Sequence, residues 1–133
     1  MACFNRRRRD LRDLKKPFQA LGIFDEGLFG INACLKSGYD QVFARQVEGL
    51  GQSGDLLIGI STSGNSKNVV KAIEVAQSKG IRTVALVGDK PEGAMQTIAD
   101  YVLAAPSTNT ARIQECHILI MHTLCQLVES ESV

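Results

Sequence analysis

Four hydroxyl side chains fall within six residues in the stretch Ser61-Thr62-Ser63-Gly64-Asn65-Ser66. Hydroxyls can donate hydrogen bonds to an anion without adding charge or bulk. An apolar run, Leu56-Leu57-Ile58-Gly59-Ile60, precedes the stretch, and a helical pattern begins at Lys67. A strand that delivers a turn of this kind to a helix N-terminus makes an anion site, because unbonded N–H groups and the positive end of the helix dipole face the turn. We read Ser61, Thr62, Ser63 and Ser66 as the residues that hold a phosphate group.

Other reactive side chains are sparse. The four cysteines, Cys3, Cys34, Cys116 and Cys125, have no metal-ligand spacing. Cys116 and Cys125 are nine apart on one predicted helix, which at about 100° per residue places them on opposite faces, so they do not pair. They read as free thiols. The histidines are His117 and His122, about 140° apart around the same helix. Taken alone, each reads as a core or interface residue.

The elements that must position the loop follow from periodicity. Residues 1–16 are polar and basic, and read as frayed or helical. Phe18 to Phe24 reads as a strand, Asp25 to about Cys34 as a short helix. Asp40 is expected to cap a helix whose apolar residues are Val42, Phe43, Val47 and Leu50. Asp55–Ile60 is a strand. Ser66–Ser78 is an amphipathic helix with Val69, Val70, Ile73 and Ala76 on its buried stripe, ended by Gly80. Arg82–Gly88 is a second strong strand, Ala94–Ile98 a short helix and Tyr101–Ala104 a third strand. The last helix, about Ala111 to Glu129, is apolar nearly all round, which predicts burial on more than one side and cover from another subunit. Alternation of strands and helices predicts an α/β fold with a parallel sheet. Ligands in such sheets sit beyond the carboxyl ends of the strands, where Ser61–Ser66 falls.

The length of 133 residues suits one domain. No apolar run approaches the roughly 20 residues of a membrane span, and no apolar core follows the basic N-terminus as in a signal peptide; the expected location is cytoplasmic. Fifteen Lys and Arg against fourteen Asp and Glu leave a net charge of +1. Arg6, Arg7, Arg8, Arg9, Arg12, Lys15 and Lys16 crowd one end, however. No aromatic residues interleave with them as base-stacking platforms would, so the arm reads as a solvated segment rather than a nucleic-acid site.

The chain resembles the SIS (sugar isomerase) domain family, in its phosphoheptose isomerase branch. The resemblance is carried by Gly38-Tyr39-Asp40-Gln41-Val42-Phe43-Ala44-Arg45-Gln46-Val47, by Gly54-Asp55 with the following strand, and by Ile60 through Ser66. Pro106-Ser107, Ala111-Arg112-Ile113-Gln114-Glu115, His117 and His122 continue it. It implies a three-layer α/β fold and a homo-tetramer with sites between subunits. The implied reaction is aldose–ketose isomerisation of sedoheptulose 7-phosphate in heptose biosynthesis. It assigns the substrate phosphate to Ser61, Thr62, Ser63 and Ser66, substrate and zinc contact to Gln114, and zinc ligation with acid–base catalysis to His122. Histidine and Zn²⁺ suit an enediol isomerisation, which needs a proton carrier and an electrophile for the developing oxyanion.

The family pattern also includes elements not matched here. An initial helical segment, a first strand, a Gly/Ser loop and a helix bearing the remaining histidine and glutamate ligands find no counterpart. The chain is therefore expected to lack the first βα unit, with 1–37 as a divergent basic segment and 38–133 as the SIS core. Leu35 and Lys36 stand where the family has a substrate-contacting Asn-Asp pair. Two functions follow: an isomerase with an incomplete zinc shell, or a non-catalytic module that binds a phosphosugar or a protein partner such as a replication initiator. Loss of a βα unit is expected to leave an open sheet edge.

Overall fold

The computed structural model describes residues 2–5, 20–23 and 38–131. Three parallel strands form its centre: β3 (Leu56–Ile60), β4 (Arg82–Val87) and β5 (Tyr101–Ala104). Leu56 pairs with Arg82 and Ile60 with Leu86, while Val84 pairs with Tyr101 and Val87 with Ala104. Two further strands, β1 (Ala2–Asn5) and β2 (Ala20–Ile23), extend the sheet to the order β2-β1-β3-β4-β5. The α/β class and the parallel central strands match expectation. The full sheet is mixed, because β1 runs antiparallel to both β2 and β3.

Strand β1 lies in the segment expected to be frayed or helical, and it pairs Ala2 with Gly59 and Asn5 with Leu56. The β3 edge, expected to stand open, is therefore occupied. The physical demand is general, since an unpaired strand edge presents a row of unsatisfied N–H and C=O groups. The strand expected over Phe18–Phe24 is found as Ala20–Ile23. The helix expected at Asp25–Cys34 lies outside the described residues, as does the run Arg6–Lys16.

Among the described residues four α-helices accompany the sheet: α1 (Val42–Leu50), α2 (Lys67–Ser78), α3 (Ala94–Ile98) and α4 (Thr110–Glu131). Asp40 does not cap α1. Gly38, at φ 80°, instead leads into a 3-10 turn over Tyr39–Gln41, and Gln41 occupies the cap position of α1. Val42, Phe43 and Val47 are buried as their spacing predicts, while Leu50 at the end of α1 is exposed. On α2 the buried stripe is Asn68, Val69, Ala72, Ile73 and Ala76, with Val70 only partly covered. Gly80, at φ 69°, ends α2 as expected. Its N–H donates to Gln77 O at 3.0 Å and that of Ile81 to Ala76 O at 2.9 Å, the paired bonds of a Schellman ending.

Side chains from α1, α2 and α3 meet Leu57, Ala85 and Val87 of the sheet in one apolar core, with Ile73 and Met95 fully enclosed. At the lower end of the parallel strands, Asp100 Oδ2 accepts from both the N–H (2.8 Å) and the hydroxyl (2.9 Å) of the buried Thr83. In the single chain helix α4 is buried on one side, and its other side, for which cover from another subunit is expected, is exposed. Only Ile113 and His117 on it are buried, whereas Ile118, Leu119 and Leu127 are 58%, 67% and 55% exposed. No helix of the described residues is long and apolar enough to cross a membrane.

Candidate phosphate loop and the outer face of helix α4

Strand β3 ends at Ile60 and α2 begins at Lys67, so residues 61–66 form the connection at the carboxyl edge of the parallel strands. Ser61 continues the pairing with β4 by one more bond, from its N–H to Leu86 O at 3.0 Å. The Gly64 N–H then donates back to Ser61 O at 3.2 Å. Gly64 has φ 68°, the left-handed region in which an L side chain is strained. This reversal gathers the hydroxyls. Ser61 Oγ lies 2.7 Å from Ser66 Oγ and 3.3 Å from Ser63 Oγ. Ser61 is buried, while Thr62, Ser63 and Ser66 are half-buried at the mouth of the loop.

The Ser66 hydroxyl, engaged with Ser61, makes no cap to α2. The amino end of α2 is thus left without a side-chain cap, facing the same turn that collects the serine hydroxyls. Further ties hold the backbone of the loop. Gly88 N–H donates to Thr62 O at 3.2 Å, and Met95 N–H donates to Gly64 O at 2.9 Å. Gly88 allows the first approach: a Cβ there would stand 2.7 Å from Thr62 O and 2.5 Å from Ile113 Cδ1. Sequence reasoning did not single out Gly88. In the sequence Gly88 reads only as the last residue of the strand over Arg82–Gly88, and only the neighbouring chain shows why the side chain must be absent.

Helix α4 is started by Asn109, whose side-chain oxygen accepts from the Ala111 N–H at 3.0 Å. Ile113 and His117, four residues apart, turn inward to the end of β4. His117 Nε2 meets Val87 O at 3.0 Å. A carbonyl only accepts, so Nε2 carries the proton, and His117 fastens α4 to the sheet. Gln114 and His122 both lie on the outer, exposed part of α4. They are separated by eight residues, about 12 Å along and about 80° around the helix. Two such donors do not make the four-coordinate shell that zinc takes. Among the described residues no three His, Cys, Asp or Glu side chains gather where a metal ion could be held. Described as they stand, the phosphate-loop residues are brought together, and Gln114 and His122 are not.

A strand–serine loop–helix unit at the carboxyl edge of a parallel sheet, flanked by helices, defines the class. The chain belongs to the SIS domain family, whose model matches residues 15–88. Within that family it is similar to phosphoheptose isomerases. It is 58% identical over 94 residues to the phosphoheptose isomerase of Sulfurimonas denitrificans, covering 71% of this chain and 48% of that protein. The corresponding enzyme of Akkermansia muciniphila is 53% identical over 94 residues, with 71% and 49% covered. Among solved structures, phosphoheptose isomerase GmhA from Neisseria gonorrhoeae superposes with a TM-score of 0.75 at 39% identity, covering 79% of this chain and 58% of that one. A phosphoheptose isomerase from Francisella tularensis gives 0.72 at 39% identity, covering 75% and 55%. The chain thus spans about half the length of the curated relatives it matches.

Proposed function

We propose that this chain binds the phosphate of a phosphorylated sugar in the Ser61–Ser66 loop, with a heptose 7-phosphate as the substrate class. The observation that carries the reading is the convergence of Ser61, Ser63 and Ser66 hydroxyls, 2.7 and 3.3 Å apart, before the uncapped amino end of α2. The names of the relatives direct the choice of sugar: proteins 58% and 53% identical in this region are phosphoheptose isomerases. In the proposal Thr62 and Ser63 donate to the phosphate at the mouth, Ser66 and the α2 amides close it from the helix side, and Ser61 orients the other hydroxyls from beneath.

Isothermal titration with sedoheptulose 7-phosphate tests this. Charge-assisted hydrogen bonds contribute about 1.5–3 kcal/mol each. The Ser63→Ala, Ser66→Ala double variant should therefore bind on the order of 100-fold more weakly. Equal binding by the double variant and the parent sinks the phosphate reading.

For catalysis the proposal is narrower. Gln114 would contact the sugar and His122 would carry a proton between adjacent carbons, as the resemblance implies. Zinc could supply an electrophile for an enediolate oxygen in such a site, but these two side chains are insufficient to hold it and no step is assigned to it. The exposed and separated positions of Gln114 and His122 favour a second reading, a non-catalytic phosphosugar module. Turnover of sedoheptulose 7-phosphate that disappears in His122→Ala supports the isomerase; tight binding with no turnover, with or without added Zn²⁺, supports the module. In either case the apolar outer face of α4 favours a homo-oligomer.

A further inference from the structure

We infer that Asn65 is a positioning residue, whose carboxamide ties the phosphate loop to the first turn of α3 and so fixes Ser63 for its ligand. The inference rests on the sugar-phosphate reading of the loop. Asn65 stands just before the cap position of α2, where its residue type suits helix capping. It does something else. Its Oδ1 accepts the Ala94 N–H at 2.9 Å, across 29 residues of sequence. Its Nδ2 donates to Ser63 O at 3.3 Å, and its own N–H donates to Ser63 Oγ at 3.2 Å.

The partners dictate the side chain. Ala94 N–H can only donate and Ser63 O can only accept, so the bridging group must both accept and donate at one short reach. Asparagine does this; aspartate keeps the acceptor and loses the donor, and serine is too short to span both. Beside this bridge, Met95 N–H holds Gly64 O at 2.9 Å. The Gln96 side chain lies against both glycines of the joint: a Cβ would stand 2.3 Å from its Oε1 at Gly64 and 2.0 Å at Gly93. Its Nε2 donates to Lys90 O at 2.5 Å. The turn before α3 and the phosphate loop are thus one joined unit, with Ser63, the middle hydroxyl, held on its backbone and its side chain by Asn65.

The bridge can also be cut from its far end with the loop sequence intact, the prolyl Cδ turning the Asn65 carboxamide away. Ala94 is the first residue of α3, a position that tolerates proline. Gly93 before it has φ −66° and ψ 142°, the extended conformation required ahead of proline. Ala94→Pro therefore removes the N–H that Asn65 uses and keeps the helix.

Titration of inorganic phosphate and of sedoheptulose 7-phosphate into the full chain should show Asn65→Ala and Ala94→Pro each binding roughly three- to tenfold more weakly than the parent. The double variant should be within about twofold of the weaker single variant, because both cut one bridge. Circular dichroism and the thermal midpoint identify any variant that has failed to fold. Amide exchange without ligand supplies a second readout: the Met95 N–H should lose protection in both single variants. Loss of affinity in Asn65→Ala with parental affinity in Ala94→Pro overturns the inference, since Asn65 would then act on the ligand directly. Parental binding and parental exchange in both variants overturn it as well. A parent chain that binds neither ligand sinks the phosphate reading, and this role with it, whereas a parent that binds while both variants match it sinks the bridge alone.

Discussion

The loop at residues 61–66 and the outer face of α4 were both assigned to one site by resemblance, yet the chain builds them differently. Ser61 is buried and its hydroxyl touches Ser63 and Ser66, and the loop backbone is held by Leu86, Gly88 and Met95. On α4, Ile113 and His117 anchor one side, while Gln114 and His122 stand exposed beside Ile118, Leu119 and Leu127. A phosphate site made of short hydroxyls and backbone amides is completed within a strand–loop–helix unit, because its donors are close in sequence. A proton-transfer site made of long side chains on a helix face needs walls from elsewhere. On the proposed reading, phosphate binding and proton transfer would therefore rest on different parts of the molecule, and substitutions should separate them.

The largest effect is expected beneath the loop. Ile73 is fully buried on α2 and packs below Gly59, the strand residue that precedes the loop by two. Ile73→Ala should cost about 2–5 kcal/mol, read as a lowered midpoint in urea unfolding, with phosphate affinity falling only as the folded fraction falls. A variant of parental stability would show that α2 is not seated on the sheet as described. Gly88→Ala comes next. It places a methyl against Thr62 O and Ile113 at once, so the loop and α4 must move apart, at about 1–3 kcal/mol. Because Gly88 is where the two regions meet, this variant should weaken phosphate binding as well as stability; an effect on stability alone would separate the regions more sharply than the contact suggests. Gly64→Ala should cost about 1–2 kcal/mol for its left-handed backbone, and this should appear as weaker phosphate binding at nearly unchanged cooperativity.

These expectations draw on features that were legible to different degrees. The start of α2 at Lys67 was clear from its apolar periodicity, and its end at Gly80 because a left-handed glycine acts locally on the backbone. The gathering of the loop's hydroxyls was legible because Ser61, Ser63 and Ser66 are close in sequence. Strand β1 was not: Ala2–Asn5 is too short to show alternation and adjoins a run of arginines, and only its pairing with β2 and β3 marks it as a strand. Asp40 looked like a cap, but Gly38 at φ 80° turns the chain into a 3-10 turn first, and Asp40 instead comes within 3.9 Å of Lys71 Nζ. The bond between Asn65 and Ala94 crosses 29 residues, and no local pattern announces it. Apolarity all round α4 was plain in the sequence, whereas one chain's periodicity specifies no partner for its outer face.

The smallest effect on folding, and the most informative for α4, is expected at Leu119. Its side chain is 67% exposed in the single chain, so Leu119→Asp removes little buried area and should change unfolding free energy by no more than about 0.5 kcal/mol in the monomer. Its effect should appear in self-association. Exposed Ile118 and Leu127 share the helix with it, and a charge among them must be desolvated for a second copy to pack there. Sedimentation at micromolar concentration should show the parent chain associated and Leu119→Asp shifted towards monomer, with phosphate binding retained because the loop is built by its own chain. Parent and variant that sediment alike as folded monomers would remove the α4 interface. Loss of phosphate binding on dissociation would instead show that the loop, too, is finished by a neighbour.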